Sequence, residues 1–309
     1  MSARRGLAWL AVATALLAPA VTACGGSAHT GARDAVSVVA STDVWGDVAG
    51  QVAGNQAGHA VRITSLINDP VQDPHSYEAT ARDRIALDRA DVVIENGGGY
   101  DDFVSKMVDD SAARTTIDAV AVAGNRAEVD AQPNEHVWYD FPTVAAVASK
   151  VADALEAKDR AHAASYQRNL VSFVKALAGL EKREGRLAQS YAGVGVAITE
   201  PVPLYLLQAC GLVNRTPPQF SEAVEEGTDV APRVLQQTLA LFSTHQVRAL
   251  VGNEQTVDVA TTRVSHAAKA AGIPVVGVTE TLPPGQSYLS WMSANVTALE
   301  NALGRAPAD

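Results

Sequence analysis

Apolar residues along the chain gather in short β-branched runs that are separated by longer segments with helical spacing. Such runs predict buried strands, and the segments between them predict helices. The predicted strands are 36–41, 61–66, 91–95, 116–120, 194–199, 247–251 and 275–278. Pro217, Pro218 and Gly227 predict loops later in the chain. Repeated strand–helix units favour parallel sheets that are covered by helices on both faces.

The middle of the chain has a different pattern. No proline occurs from 143 to 189, and Ala, Leu, Glu, Lys and Arg dominate, so intrinsic propensity favours helix throughout. We predict one helix at 143–157 and a long helix at 158–189. The predicted fold class is α/β: two Rossmann-like lobes with mainly parallel sheets, residues 36–157 and 190–309, joined by the long rigid α-helix. A ligand between such lobes would lie at the carboxyl ends of the strands.

The N-terminus predicts export. Residues 1–23 have the features of a secretory signal peptide, namely two arginines, an apolar stretch and a break at proline and small residues. The apolar stretch is too short to span a bilayer. Residues 21–24, Val-Thr-Ala-Cys, resemble the lipobox of bacterial lipoproteins, which implies that cleavage before Cys24 leaves its thiol to carry a lipid. A plain signal peptide followed by an unrelated cysteine is the alternative. Residues 24–35 predict a flexible tether. Together, the signal peptide, the lipobox and the tether predict a lipid anchor at the extracytoplasmic face of the cell membrane.

Composition narrows the function classes. Apolar residues make up 47% and charged residues 19% of the 309 residues, which is typical of a globular protein. The net charge of −10 disfavours a nucleic-acid partner and suits a protein that collects cations. The cysteines are Cys24 and Cys210. With Cys24 lipidated no intramolecular disulfide forms, and Cys210 lies in an apolar run where we expect it to be buried.

Two histidines lie among turn formers and polar residues: His75 in Asp-Pro-His-Ser-Tyr-Glu and His136 in Glu-His-Val-Trp-Tyr-Asp. The proline before His75 disfavours helix, so that ring is expected on a loop. Near His136, Trp138 offers an apolar wall and Asp140 is a candidate acceptor for an imidazole N–H. Taken alone, neither histidine is decisive as a ligand. The histidines for which we expect a solvated or structural role are His29, His59, His162, His245 and His266.

The two motifs resemble the paired histidine motifs of the zinc/manganese solute-binding lipoproteins of ABC importers. In that family Asp-Pro-His is followed, some tens of residues later, by His-Val-Trp. Residues 40–45 resemble the family's first strand and helix, and residues 91–97 resemble the segment before its glycine-rich turn. A long helix joins two lobes in both cases. The resemblance extends from residue 36 to about residue 305.

The resemblance implies two further ligands in the second lobe. Glu200 matches a position at the end of that lobe's first strand that is His or Glu in the family. Glu280 matches a position after a late strand that is usually Asp, and its extra methylene is a departure that changes the reach of the carboxylate. The implied site is therefore His75, His136, Glu200 and Glu280. Glu254 also follows a strand and is the main rival carboxylate, for which we expect a structural role at the lobe interface.

Two imidazoles and two carboxylates suit a divalent transition metal, because the carboxylates offset its charge and the imidazoles add borderline nitrogen ligands. Zinc-specific members often carry a third histidine and a histidine-rich loop. Here Glu200 stands at the third position and residues 76–135 contain no histidine, which favours Mn²⁺. Zn²⁺ normally outcompetes Mn²⁺ at a given site in vitro. Mn²⁺ or Zn²⁺ is therefore the expected ligand, with Fe²⁺ as a further candidate.

The resemblance implies a monomeric protein without enzymatic activity that delivers its metal to the permease and ATPase of an ABC importer. One rival is an exported metalloenzyme such as a hydrolase, but it would need an open coordination position for water, and the known hydrolase and phosphate-loop motifs are absent. A second rival binds an iron chelate or haem, yet only 5% of the residues are aromatic. A third rival is a surface interaction protein that uses the metal only structurally. Such a protein would bind the metal without exchanging it.

Overall fold

The computed structural model describes residues 35–69, 72, 74–108, 114–129 and 132–304. The predicted signal peptide 1–23, the lipidation site Cys24 and the tether up to residue 34 lie outside the described residues. Within the described ranges, no helix has both the length and the apolar character that crossing a membrane requires.

Strands and helices alternate along both halves of the chain, as the hydrophobic pattern predicts. The strands are β1 (Val36–Thr42), β2 (Val61–Ile67), β3 (Val92–Glu95), β4 (Thr115–Asp118), β5 (Glu128–Val129), β6 (Gln132–Pro133), β7 (Gly195–Ile198), β8 (Val213–Asn214), β9 (Leu250–Asn253) and β10 (Val275–Val278). The helices are α1 (Asp43–Ala53), α2 (Ala81–Asp88), α3 (Asp102–Met107), α4 (Ala119–Ala123), α5 (Phe141–Lys158), α6 (Ala163–Tyr191), α7 (Leu204–Ala209), α8 (Pro218–Glu225), α9 (Pro232–Ser243), α10 (Val259–Ala270) and α11 (Tyr288–Gly304).

Each lobe is built on a parallel sheet. The first has the order β2-β1-β3-β4 and the second the order β10-β9-β7-β8, and every pairing within them is parallel. Strands β5 and β6 pair with each other in an antiparallel orientation. The predicted fold class, two α/β lobes with mainly parallel sheets joined by a long helix, is confirmed, while the lobe limits 36–157 and 190–309 stay predictions.

The two sheets share one hydrophobic core. Successive strand residues point to opposite faces, so Val38 and Ala40 of β1 enter this shared core, whereas Val39 packs into a separate cluster on the outer face. In the second lobe Ile198 of β7 joins the shared core and Ala197 joins an outer cluster. Helices α1, α5, α6 and α11 contribute their buried faces to the shared core. The lobes are therefore packed together along the long helix.

The long helix begins later than the sequence predicts. Its predicted range is 158–189, but α5 continues to Lys158 and α6 covers 163–191. At Asp159 the backbone leaves the helical region (φ −132°, ψ 78°). Its carboxylate accepts hydrogen bonds from the Tyr166 hydroxyl at 2.7 Å and from His162 Nδ1 at 2.6 Å. These bonds stabilise a turn between the helices, which propensity alone does not reveal.

Two other predictions are wrong in detail. The predicted strand 116–120 ends at Asp118, because the Asp118 carboxylate accepts a hydrogen bond from the backbone of Ala121 and caps α4. Pro217 and Pro218 predict a loop, yet Pro218 is the first residue of α8, where proline's fixed φ fits a helix start. Cys210 is buried, as expected.

Helix α1 is hydrogen-bonded to the second lobe. The Asp43 carboxylate accepts from the backbone N–H of Leu282 at 3.1 Å, and Asp47 accepts from that of Tyr288 at 2.8 Å. The Tyr288 hydroxyl donates to the carbonyl of Trp138 at 2.6 Å. These bonds hold the segment after β10 against the first lobe.

Candidate metal centre

An acidic cavity of about 820 Å³ opens between the two lobes, where the loops after the parallel strands meet. Its described lining contains no lysine or arginine. The glutamates that line it are Glu135, Glu200, Glu222, Glu225, Glu226 and Glu280. Like charges in a partly enclosed space create a strong negative potential. The cavity therefore attracts cations and disfavours an anionic ligand.

His75 reaches this cavity from a short 3-10 turn, Pro74–Ser76, in the loop after β2. The ring packs edge-on against Tyr100, with centroids 5.0 Å apart. Its Nε2 atom lies 4.0 Å from Oε1 of Glu135. The turn geometry agrees with the prediction that Pro74 presents the following histidine on a loop.

His136 is fully buried beside Trp138, whose ring centroid lies 5.1 Å from that of the imidazole. The apolar wall predicted from Trp138 is thus present. Burial lowers the pKa of His136 to about 3, with a smaller contribution from His75. The imidazole is therefore neutral at physiological pH, which is the form that binds a metal.

Asn134 determines which ring nitrogen of His136 carries the proton. The Asn134 amide nitrogen donates to the carbonyl of Pro201 at 3.2 Å, which leaves Oδ1 to face the histidine. Oδ1 accepts from the His136 backbone N–H at 2.9 Å and lies 3.0 Å from Nδ1. Because an amide oxygen only accepts, Nδ1 must hold the proton and the lone pair is on Nε2.

The sequence assigned this acceptor role to Asp140, and that prediction is wrong. Asp140 instead caps helix α5, where its carboxylate accepts from the backbone N–H of Thr143 at 3.1 Å and from the Thr143 hydroxyl at 2.6 Å. A helix N-terminus leaves backbone N–H groups unsatisfied, and an aspartate at this position is a common partner for them.

Glu280 approaches from the second lobe, two residues after β10 ends. Its Oε1 accepts from the Asn253 amide at 2.7 Å, and its backbone N–H donates to Gln255 Oε1 at 2.6 Å. The loop that carries Glu280 is thereby fixed to the end of β9. This anchoring positions the carboxylate toward the first lobe.

The structure brings three of the four predicted ligands together. Each of His75, His136 and Glu280 contributes one possible ligand atom, and these three atoms lie within 4.8 Å of one another. Two atoms that each lie about 2.1 Å from one ion are at most about 4.2 Å apart. The three side chains are therefore at or near the separation that coordination requires.

Glu200, the fourth predicted ligand, lies in the same cavity but outside that group of atoms. It follows β7 by two residues and is only 2% exposed. Its carboxylate is one of the nearby negative charges that raise the pKa of Glu225.

Glu254 is not directed toward the histidines. It lines a second cavity of about 260 Å³ within the C-terminal lobe, together with His266 and Thr256. Its carboxylate occupies the space that a side chain on Gly277 would need. The expected position at the lobe interface is therefore wrong, because Glu254 packs against a strand of its own lobe.

Two acidic residues near the histidines were missed by the sequence analysis, Glu135 and Glu225. Their carboxylates form a second group of possible ligand atoms with His75, again within 4.8 Å of one another. Burial raises the pKa of Glu225 to about 9, and the carboxylates of Glu135, Glu200, Glu280 and Glu226 add to the shift. The sequence did contain a signal for an acidic site, namely a cluster of glutamates at 222, 225 and 226 just before Gly227.

Comparison with known proteins identifies several similar sequences. The chain is 23% identical over 269 residues to the iron ABC transporter substrate-binding lipoprotein MtsA of Streptococcus pyogenes, covering 76% of this chain and 79% of MtsA. It is 27% identical over 124 residues to the metal ABC transporter substrate-binding lipoprotein ScbA of Streptococcus cristatus. That match covers 36% of this chain and 39% of ScbA, so it spans about two fifths of that relative.

Solved structures share the fold. The periplasmic zinc-binding protein TroA of Treponema pallidum superposes with a TM-score of 0.71 at 20% identity, covering 87% of this chain and 99% of TroA. The substrate-binding protein FpvC of P. aeruginosa, in complex with Ni²⁺, gives a TM-score of 0.69 at 19% identity, covering 89% and 99%. A family model described as zinc-uptake complex component A, periplasmic, matches residues 38–302. The chain therefore belongs to the ZnuA family of metal-transporter substrate-binding proteins and is not an enzyme.

Proposed function

We propose that this protein captures a divalent transition metal between its two lobes, outside the cytoplasmic membrane, and delivers it to the permease and ATPase of an ABC importer. The single observation that carries the proposal is the convergence of ligand atoms of His75, His136 and Glu280, two of which, His75 and Glu280, line the acidic cavity between the lobes. Membership of the ZnuA family supports it. An iron chelate or haem fits poorly, because the described lining offers no lysine or arginine to such a ligand.

The proposed ligands are His75, His136, Glu200 and Glu280, two from each lobe. Ligand atoms of His75, His136 and Glu280 already lie close together. Glu200 lines the same cavity, and we propose that its side chain changes conformation to bind as the fourth ligand. A metal that binds both lobes stabilises the conformation in which they are closest, by its higher affinity for that conformation. Release then requires the importer to favour a different arrangement.

Mn²⁺ and Zn²⁺ are the proposed cargo, with Fe²⁺ as a further candidate. The relatives carry different metals in their names, iron for MtsA and manganese for scaA of Streptococcus gordonii. Carboxylate-rich sites suit Mn²⁺ and Fe²⁺, whereas imidazole suits Zn²⁺. Elemental analysis of protein purified without added metal, followed by competition among the three ions, identifies the cargo.

The remaining proposals concern the anchor and the oligomeric state. The relatives named as lipoproteins support a lipid anchor. We propose that it is attached at Cys24 after removal of residues 1–23, and that the protein acts as a monomer at the extracytoplasmic face. Fractionation of cells that express a Cys24→Ala variant tests the anchor. Release of the variant from membranes is expected, and its retention there would contradict lipidation.

We expect His75→Ala and His136→Ala each to abolish tight metal binding without unfolding the protein. Each substitution removes a nitrogen ligand. The fold should be retained because the proposed site lies between the lobes. Calorimetric titration of the purified full-length protein with Mn²⁺ and Zn²⁺ measures the effect, and circular dichroism checks the fold. His266→Ala, which alters the second cavity, is the matched control. Unchanged affinity in both site variants would exclude this metal centre.

A further inference from the structure

The C-terminal end of helix α8 carries an unusual set of charges. Glu222, Glu225 and Glu226 all line the acidic cavity, and the last turn of the helix contains no basic residue. The C-terminus of a helix carries a partial negative charge, so acidic residues there are unfavourable for helix stability. Residues that break a local rule in this way are expected at functional sites.

Glu225 differs from its two neighbours in where its carboxylate lies. Glu222 and Glu226 are exposed, whereas the side chain of Glu225 is only 19% exposed. Its Oε1 atom lies 3.4 Å from Nε2 of His136. The carboxylate therefore faces the ring nitrogen whose lone pair is available for a metal, since Nδ1 is occupied by Asn134.

Both atoms of this contact are buried and make no hydrogen bond within the described part of the chain. Burying a carboxylate and an imidazole nitrogen without hydrogen bonds is costly. A cation between them satisfies both atoms at once. Glu225 also lies within 4.8 Å of the ligand atoms of His75 and Glu135, so its carboxylate is next to both imidazoles.

We propose that Glu225 is a further ligand of the transported metal and favours Mn²⁺ over Zn²⁺. The inference rests on the proposed function, because it needs a metal at the two histidines. A third carboxylate would take the donor set of His75, His136, Glu200 and Glu280 beyond four, with oxygen in the majority. Zn²⁺ prefers four ligands in a tetrahedron, while Mn²⁺ accepts six with oxygen-rich surroundings.

The test compares Glu225→Gln with Glu222→Gln in the full-length protein. Both substitutions replace a carboxyl group at the cavity by an amide, but only the first alters the group that faces His136. Calorimetric titrations with Mn²⁺ and with Zn²⁺ give the affinities. We expect Glu225→Gln to weaken Mn²⁺ binding by about tenfold or more, with a smaller loss for Zn²⁺, whereas Glu222→Gln should change either affinity by less than about threefold.

Further measurements make the outcome decisive. Glu225→Asp keeps the charge but withdraws the carboxylate by one methylene, so an intermediate loss of Mn²⁺ affinity is expected. A crystal structure of the Mn²⁺ complex should show a Glu225 oxygen bound to the ion. Equal effects of Glu225→Gln and Glu222→Gln, or tighter binding by Glu225→Gln, would overturn this inference while leaving the proposed function intact. If the unaltered protein binds neither ion, both proposals fail.

Discussion

At the residue scale, the proposed metal centre depends on groups that are not themselves proposed ligands. Burial keeps the His136 imidazole neutral, and Asn134 fixes the tautomer that leaves Nε2 with its lone pair. The side-chain amide of Asn134 also donates across the lobes to the carbonyl of Pro201. The backbone carbonyl of Asn134 accepts a hydrogen bond from the Tyr205 hydroxyl at 2.7 Å. One buried amide thus links the orientation of a ligand to the contact between the lobes.

Asn134→Ala should weaken metal binding by roughly 10- to 100-fold, because the imidazole loses the acceptor that orients it. Asn134→Asp keeps an acceptor for the Nδ1 proton and should recover most of the affinity. Titration of both variants with Zn²⁺ measures the difference, with circular dichroism as the check on folding. If Asn134→Ala and Asn134→Asp lose affinity equally, hydrogen bonding to His136 is not what Asn134 contributes.

Helix α6 buries an acidic side chain, Glu184, with an oxygen that its packing does not satisfy. Glu184 is 5% exposed, and its Oε1 makes no hydrogen bond to any described residue. The pKa of Glu184 is raised to about 8, mainly by burial and in smaller part by the nearby charges of Glu181 and Asp140. Intrinsic propensity explains why α6 is helical, but it gives no reason for an acid on the buried face.

The raised pKa of Glu184 makes the stability of the fold depend on pH. Between its ordinary pKa near 4.5 and about 8, the unfolded chain has lost this proton while the folded protein retains it. The unfolded state then binds fewer protons, so the free energy of unfolding falls as pH rises through this window. Above about 8 both states are ionised and the full destabilisation remains.

Glu184→Gln should therefore stabilise the protein at pH 8 by about 1–3 kcal/mol and have little effect at pH 4.5. Thermal unfolding followed by circular dichroism at the two pH values measures this difference. Asp153→Asn, which alters an exposed acid on α5, is the matched control and should show no such pH dependence. An equal change at both pH values would mean that ionisation of Glu184 is not responsible.

The shared core limits how far the lobes of the whole molecule can move. It runs from β1 through α1, α5 and α6 to α11, and the bonds from Asp43 and Asp47 fasten the segment after β10. Packed interiors resist continuous deformation. Metal binding is therefore expected to reposition loops and side chains around the cavity more than to swing entire lobes.

Small-angle X-ray scattering of the full-length protein should thus change little when Mn²⁺ or Zn²⁺ is added. For a chain of this length the radius of gyration is about 19 Å, and we expect a change below about 1 Å. Protein treated with a chelator provides the reference. A contraction of several ångströms would show that the lobes close by a wide hinge in spite of the shared core.

Local pattern in the sequence was sufficient for the architecture. β-branched runs alternating with helical spacing predict the parallel sheets, because strand burial on both faces leaves that signature in the order of residues. The resemblance of the two histidine motifs to those of the metal-binding lipoproteins implies two ligands. Pro74 predicts a loop position for His75, and Trp138 predicts an apolar wall beside His136. Glu280 was implied by the family resemblance alone, and one of its carboxylate oxygens lies within 4.8 Å of the ligand atoms of both rings.

Only the tertiary structure decided which other groups meet the histidines. Glu225 is 89 residues from His136 in the sequence. It lies on α8, where Pro217 and Pro218 had led to the prediction of a loop. Asn134 rather than Asp140 orients the ring, because Asp140 is engaged by the start of α5. Glu254 follows a strand just as Glu280 does, yet it packs over Gly277. Side-chain direction at a strand end depends on packing between segments that are distant in the chain, and no local pattern records it.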